Sequence, residues 1–433
     1  MPTPWLSALM LLVFASPLMA KDSLLILSPH RKSIQEEFVP LFTRYYKEKF
    51  GTEVQVEWLD QGGTSDDIRF VRAKFANQAP TSGLDIFWGG GTTTFLDLQQ
   101  EGYLARYDLP PELKAQIPET VSGIPLFDKS HSWYAAAMSS FGVFYNKKIL
   151  EFERLPEPNR WQDLGHPLYR DNISLTDPRR SGTASTMNTI VMQTFGWKGG
   201  WEILTSIAAN TRSFTHSSTD PIKAVVAGDV GLAMAIDFYA LAKIGDIGKE
   251  NLSFLLPKGQ AVLDPDPIAI LRGAPNRKVA ERFVDFVLSA QAQKLLILPK
   301  GAPGGPEKSS LGRMAANIKA YEETEGQRID AFNPFKQQDF VTLNLEKALR
   351  TQRVFNDIFG ALLVDPHTDL KRAWARLTKK GTIDPIKLVA LAQPPLSEEA
   401  FNQLVDRWDD EVFRNETINS WLKNARQKYR NTL

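Results

Sequence analysis

The 433-residue chain contains no cysteine, which excludes disulfides, thiolate metal sites, a thiol nucleophile and a lipidated N-terminal cysteine. Net charge is also nearly absent, with 51 Lys and Arg against 50 Asp and Glu for a formal +1. A field that small gathers neither nucleic acid nor a membrane surface, so any charged ligand has to be met by local groups. Beyond Ala20 no stretch approaches the ~18 apolar residues of a membrane span. Catalytic signatures are missing as well. There is no Gly-x-Ser-x-Gly elbow and no His-Glu-x-x-His helix, and the five histidines (His30, His131, His166, His216, His367) show no metal-ligand spacing. Neither a Walker pattern nor a Gly-x-Gly-x-x-Gly fingerprint is present, so nucleotide binding has little support. The sequence predicts no enzyme, no cofactor and no resident metal.

What is present begins with Leu6 to Ala20 (LSALMLLVFASPLMA), an uncharged apolar run ending in a small residue and followed by Lys21 and Asp22. It reads as a secretory signal over residues 1–20, cleaved near Ala20, and places the mature chain in the periplasm. From Ser23 onward, short apolar runs alternate with amphipathic stretches, as βα units on a mainly parallel sheet do. Leu24 to Leu27, Val54 to Trp58 and Leu84 to Trp88 read as strands of a first unit. Phe141 to Tyr145, Ile173 to Thr176, Val230 to Ile236 and Leu252 to Leu256 read as strands of a second, and Asp266 to Leu271 as a strand returning to the first. This predicts a first lobe over 21–129 and 262–320, a second over 130–261, and a helical extension over 321–433. In the extension, Phe401, Leu404, Val405, Trp408 and Val412 form one stripe behind an N-cap at Ser397.

Three turns share one construction: a strand ends, small residues follow, and hydroxyl residues open a helix. They are Gly62, Gly63, Thr64 and Ser65; Gly89, Gly90, Gly91, Thr92 and Thr93; and Ser181, Gly182, Thr183 and Ala184. Glycine lets backbone approach a ligand, the first N–H groups of a helix are unpaired, and its dipole favours negative charge. In an open α/β sheet such turns lie beyond the carboxyl ends of strands, where ligands bind. Each hydroxyl is alternatively a simple helix cap. The acids Asp66 and Asp67 suit the dipole of their helix. Arg179 and Arg180 read as a solvated loop pair that also has the charge to steer an anion.

The segments Asp85–Gly91 (DIFWGGG), Phe141–Lys147 (FGVFYNK), Asp177–Ala184 (DPRRSGTA) and the run from Thr219 through Tyr239 resemble the family-one extracellular solute-binding proteins. Within that family the resemblance is to the ferric-iron and sugar-phosphate binding branch of ABC importers, and it extends to about residue 300. It implies a bilobed type II periplasmic-binding-protein fold, here with a helical C-terminal extension, acting as a monomer with an inner-membrane permease. It also places His30 and Tyr239 where iron-binding relatives carry ligands. This chain departs from their pattern, because Phe238 stands where a second tyrosine is usual and glycines 89 to 91 stand where an acid is expected. A lone His and Tyr make a thin shell for hard Fe(III). The expected ligand is therefore a small anionic solute (a phosphorylated sugar, phosphonate or carboxylate), with Asp237 accepting hydrogen bonds from its hydroxyl or amino groups. A ferric-iron receptor of the same fold, or a ligand-sensing partner of a membrane signalling protein, is the alternative.

Overall fold

Leu24, Ile26 and Leu27 are buried in the first strand, β1 (Asp22–Leu27), which pairs in parallel with β2 (Val54–Leu59) and β3 (Ile86–Trp88) in the computed structural model. The structure describes residues 21–336, 339–379 and 381–432, and the side chains of Ser65 and Asn77 are not described. The expected signal segment lies outside the described residues. Helix α1 (Lys32–Phe50) follows from the helical spacing of Ile34, Phe38 and Phe42, all buried, and stops at Gly51, whose φ of 71° is left-handed. Helices α2 (Thr64–Lys74) and α3 (Thr92–Gln100) start directly behind β2 and β3.

The next strand, β4 (Tyr134–Asn146), belongs to two halves of the molecule. Its first part, Tyr134 to Ser140, runs antiparallel to a late strand, Leu263–Ile270, while Phe141 to Asn146 pairs with Leu232–Ile236 and Leu252–Leu255. With β5 (Ile173–Thr176), β6 (Thr211–Thr215), β7 (Leu232–Ile236), β8 (Leu252–Leu255) and β9 (Leu263–Ile270), the sheet order is β2-β1-β3-β9-β4-β7-β5-β6, and β8 also pairs with β4. The sheet is thus mixed rather than mainly parallel. The βαβ units at both ends are parallel, but β4 leaves the first half and β9 re-enters it in opposite directions. The change of partner falls at Ser140/Phe141, inside a strand and ten residues beyond the loop expected to divide the lobes. At Gly142 a Cβ would stand 2.0 Å from the Leu255 carbonyl oxygen, so the strand needs glycine where β8 closes on it.

Two large apolar cores lie on either side of this crossing. One gathers Phe38, Phe42, Trp88, Phe283 and Phe286; the other gathers Trp161, Trp201, Phe355, Trp374, Trp408, Trp421 and Tyr429. The chain after residue 320 is divided between them. Tyr321 is buried in the first core and Phe332, Phe335 and Phe340 pack on it, whereas Val341, Leu343 and the buried apolar residues from Val354 to Tyr429 pack on the second. Helix α4 (Gly182–Asn210) is the surface on which the C-terminal helices sit, among them α5 (Leu345–Phe359) and α6 (His367–Leu377). The expected stripe through Val412 is broken. Helix α7 (Glu398–Leu404) ends early, and Asp410 caps a new helix, α8 (Glu411–Asn431), by accepting from the Val412 and Phe413 N–H groups. Val412 consequently sits in a first turn and is 68% exposed. No helix among the described residues is long and apolar enough to cross a membrane.

Candidate functional site

A solvent-open cleft of about 820 Å³ lies between the two cores, over the crossing of β4 and β9. Its floor is set by the sequence Leu-Asp-Pro-Asp-Pro of β9. Asp264 and Asp266, two residues apart, share one face of the strand, and the register shift between Asp266 and Pro267 tolerates prolines that regular pairing would exclude. Asp266 Oδ2 lies 2.7 Å from His30 Nε2 and is also ion-paired to the Arg313 guanidinium. All three groups are buried. Burial pushes the Asp266 carboxyl up, but His30 and Arg313 together outweigh it and hold the group well below the usual carboxylate range. Burial, reinforced by the charges of Arg313 and Arg31, draws the His30 pKa down against the pull of Asp266. An ionised Asp266 only accepts, so neutral His30 donates through Nε2 and keeps Nδ1 as a bare acceptor. Asp264 is pushed up to about 6 by burial and by the charge of Asp266.

All three glycine-hydroxyl turns reach the cleft, but not with all of the expected residues. Gly63 and Thr64 of the first, Gly90 and Gly91 of the second, and Ser181, Gly182 and Thr183 of the third line it, together with His30 and Tyr239. Among the described residues, the N–H groups of Thr64, Thr93, Thr94, Gly182 and Thr183 have no partner, and all five residues line the cleft. The glycines also serve packing. A Cβ at Gly89 would stand 2.7 Å from the His30 ring, and one at Gly90 would stand 2.7 Å from Thr64 Cγ2.

Several expectations are corrected. Thr92 is turned away, its hydroxyl donating to Asp264 Oδ1 at 3.2 Å and to the Pro265 carbonyl at 3.1 Å; Thr93 and Thr94 face the cleft in its place. Ala184 is buried, and its N–H is capped by Ser181 Oγ, so that hydroxyl is already engaged. The Ser65 side chain lies outside the described residues. Asp237 is on the far side of the crossing, facing a separate small cavity of about 30 Å³ with Leu241, Phe254, Tyr321 and Arg328.

Two further cations line the cleft: Arg31, which no pattern in the sequence marks, and Arg180, one of the loop pair expected to be solvated but with the charge to steer an anion. Arg31 precedes α1 and reaches across to the second core, its guanidinium 4.6 Å from the Tyr239 ring centroid and 5.4 Å from that of Phe238. Arg180 enters from the opposite side, before α4. Among the described residues neither guanidinium has an ion-pair or hydrogen-bond partner. The acids of the cleft are mostly matched: Asp66 by Arg69, Asp97 by Arg72 and Asp266 by Arg313. Arg179 is matched too, bound to Asp177 and to Asp365 of the C-terminal region. Three buried polar atoms on cleft residues also lack a partner among the described residues: His30 Nδ1, Ser139 Oγ and Arg313 Nε. No group of three or more His, Cys, Asp or Glu among the described residues is arranged to hold a metal ion. The ferric-iron alternative is not favoured by this donor set, in which His30 is engaged by Asp266 and Tyr239 lies against Arg31.

The displaced Asp237 has its own consequence. Its Oδ1 accepts from the Phe238 N–H at 2.7 Å, its Oδ2 has no partner among the described residues, and burial lifts its pKa to about 8. The unfolded carboxyl ionises near ~4. Between those values the folded state therefore binds more protons, and stability falls as pH rises. Asp237→Asn is expected to flatten that fall and to raise the melting temperature at pH 8. Thermal melts of both proteins from pH 5 to 8 check this, and parallel curves would show that folding does not hold this carboxyl protonated.

The family model for bacterial extracellular solute-binding proteins matches residues 84–313 of the chain. The phosphoglycerate transport regulatory protein PgtC of Salmonella typhimurium is 26% identical over 349 residues, 80% of each chain. Among solved structures, the periplasmic binding protein AfuA from Actinobacillus pleuropneumoniae with fructose 6-phosphate aligns with a TM-score of 0.58 at 19% identity, covering 82% of this chain and 98% of that one. The apo ferric ion-binding protein A of Pasteurella haemolytica aligns with a TM-score of 0.56 at 14% identity, covering 78% and 96%. With its family model spanning more than half its length and lying across the cleft, the chain belongs to the bacterial extracellular solute-binding proteins.

Proposed function

We propose that the protein is the periplasmic substrate-binding receptor of an ABC-type importer, and that it holds a small anionic solute by closing two lobes about the β4/β9 crossing. The observation that carries this reading is the pair of unmatched guanidiniums, Arg31 and Arg180, facing one cleft from opposite sides. Arg31 is half-buried and Arg180 is exposed; a half-buried cation without a counter-charge is costly, and an anion between the lobes supplies one to Arg31 while also attracting Arg180. The free N–H groups at the starts of α2, α3 and α4 add donors aimed at the same space. His30 Nδ1 and Ser139 Oγ suit the hydroxyl or amino groups of an organic solute. Each lobe then contributes part of the ligand shell, so binding favours the closed state over the open one, and a membrane permease reads that state. The names of PgtC and of the fructose 6-phosphate complex support phosphorylated solutes as the class to try first.

Isothermal titration of the mature protein with 3-phosphoglycerate, fructose 6-phosphate and 2-aminoethylphosphonate tests the reading. Saturable binding of at least one, weakened by salt as charge pairing requires, is expected. Failure of all three, with binding of ferric citrate or a cationic polyamine instead, would overturn it.

A further inference from the structure

Behind Thr93, Thr186 and Asp264 the cleft continues into a side chamber of about 370 Å³. Its character is different from that of the cleft. Ile124, Trp133, Val262, Leu343 and Leu345 are among the residues of its wall. Two of the large apolar side chains left exposed in the described residues meet on this one chamber: Leu96 on α3 is 37% exposed and Leu349 on α5 is 41% exposed. They belong to opposite lobes. Helix α5 is fixed to the second lobe through Ser185, whose Oγ is 2.9 Å from Asn356 Oδ1 and accepts from Gln352 Nε2 at 3.1 Å, and through the paired contacts of Gln193 with the Asn344 backbone. Leu349 and Gln352 also line the main cleft. The C-terminal extension is therefore part of the wall around the ligand space.

We infer that α5 completes the binding site, and that the solute carries, beyond its anionic group, an apolar organic portion lodged between Leu96 and Leu349. This rests on the anionic reading above. The anion sits among the helix N-termini and guanidiniums, and the chain attached to it passes Thr93 and Thr186 into the side chamber. Burying each methylene there is expected to strengthen binding about fourfold.

The test is calorimetric titration with methyl-, propyl- and pentylphosphonate. In the wild-type protein the affinity rises about tenfold or more at each step of two methylenes. In Leu349→Asn and Leu96→Asn, both exposed positions whose replacement leaves the core intact, the rise falls to about twofold or less per step. Binding of methylphosphonate with no gain from added methylenes would overturn the inference and leave the anionic reading standing, the two leucines then being a contact between closing lobes. A gain that persists undiminished in both variants would also overturn it. If no phosphonate and no phosphorylated probe binds, the anionic reading itself falls and the inference with it.

Discussion

Arg31→Ala and Arg180→Ala are each expected to weaken binding of a phosphorylated solute by about ten- to a hundredfold, the loss of a hydrogen bond to a charged group being about 1.5 to 3 kcal/mol. Neither change should cost much stability, because among the described residues neither guanidinium has an ion-pair or hydrogen-bond partner to abandon. Arg31 gives up only its stacking on Tyr239 and Phe238. The double variant should lose about a thousandfold or more if both groups grip the same anion from opposite lobes. Salt dependence separates this from a packing effect: the wild-type affinity should fall steeply with ionic strength and the double variant's only weakly. Equal salt slopes in the two proteins would mean that the guanidiniums do not meet the ligand.

Asp266 presents the converse case, a group whose loss strikes the fold first. Its carboxylate is the counter-charge of Arg313, whose side chain is 7% exposed, and the hydrogen-bond acceptor of His30. Asp266→Ala leaves that cation buried and unpaired, which costs about 3 to 5 kcal/mol. The wild-type protein should show the same dependence in its acid limb. Asp266 has a folded pKa below its unfolded value near ~4, so the stability it contributes is present above ~4 and is lost as pH falls through the folded value. His30, also drawn down, adds a loss of the same sign that begins as pH falls through its unfolded pKa near ~6.5, where the unfolded chain takes up the proton and the folded chain does not. Urea unfolding at pH 7 and pH 2 checks both statements. The variant should be less stable than wild type at pH 7, and the gap should narrow at pH 2. A gap of the same size at both values would assign the effect to packing.

The turns around Gly63, Gly90 and Gly182 were legible because their chemistry is local: glycines with φ of 120° at Gly63 and 100° at Gly90 cannot be replaced cheaply, and the residues that follow open helices. Which hydroxyl faces the ligand was not legible. Successive residues of a helix point about 100° apart, so a shift of one position exchanges Thr92, bonded to Asp264 and Pro265, for Thr93 in the cleft. Asp237 was misplaced for a similar reason, since the first residue of a helix can face either side of the strand it follows. The Asp266–Arg313 pair spans 47 residues and Arg31–Tyr239 spans more. Such contacts depend on how β9 re-enters the sheet, and no local pattern announces them. The same holds for the C-terminal region, whose helical periodicity was readable while its attachment to α4 through Ser185 and Gln193, and to the preceding loop through Arg179, was not.

The absence of cysteine makes the central claim directly measurable. Lys74→Cys on α2 and Lys223→Cys on the helix Asp220–Ala227, both exposed and on opposite sides of the cleft, accept a donor and acceptor dye without competing thiols. Titrating the labelled protein with whichever of 3-phosphoglycerate, fructose 6-phosphate or 2-aminoethylphosphonate binds by calorimetry should raise the transfer efficiency, with half-saturation at the calorimetric Kd. A probe that binds with that Kd while the efficiency stays constant would contradict closure of the two lobes about the ligand.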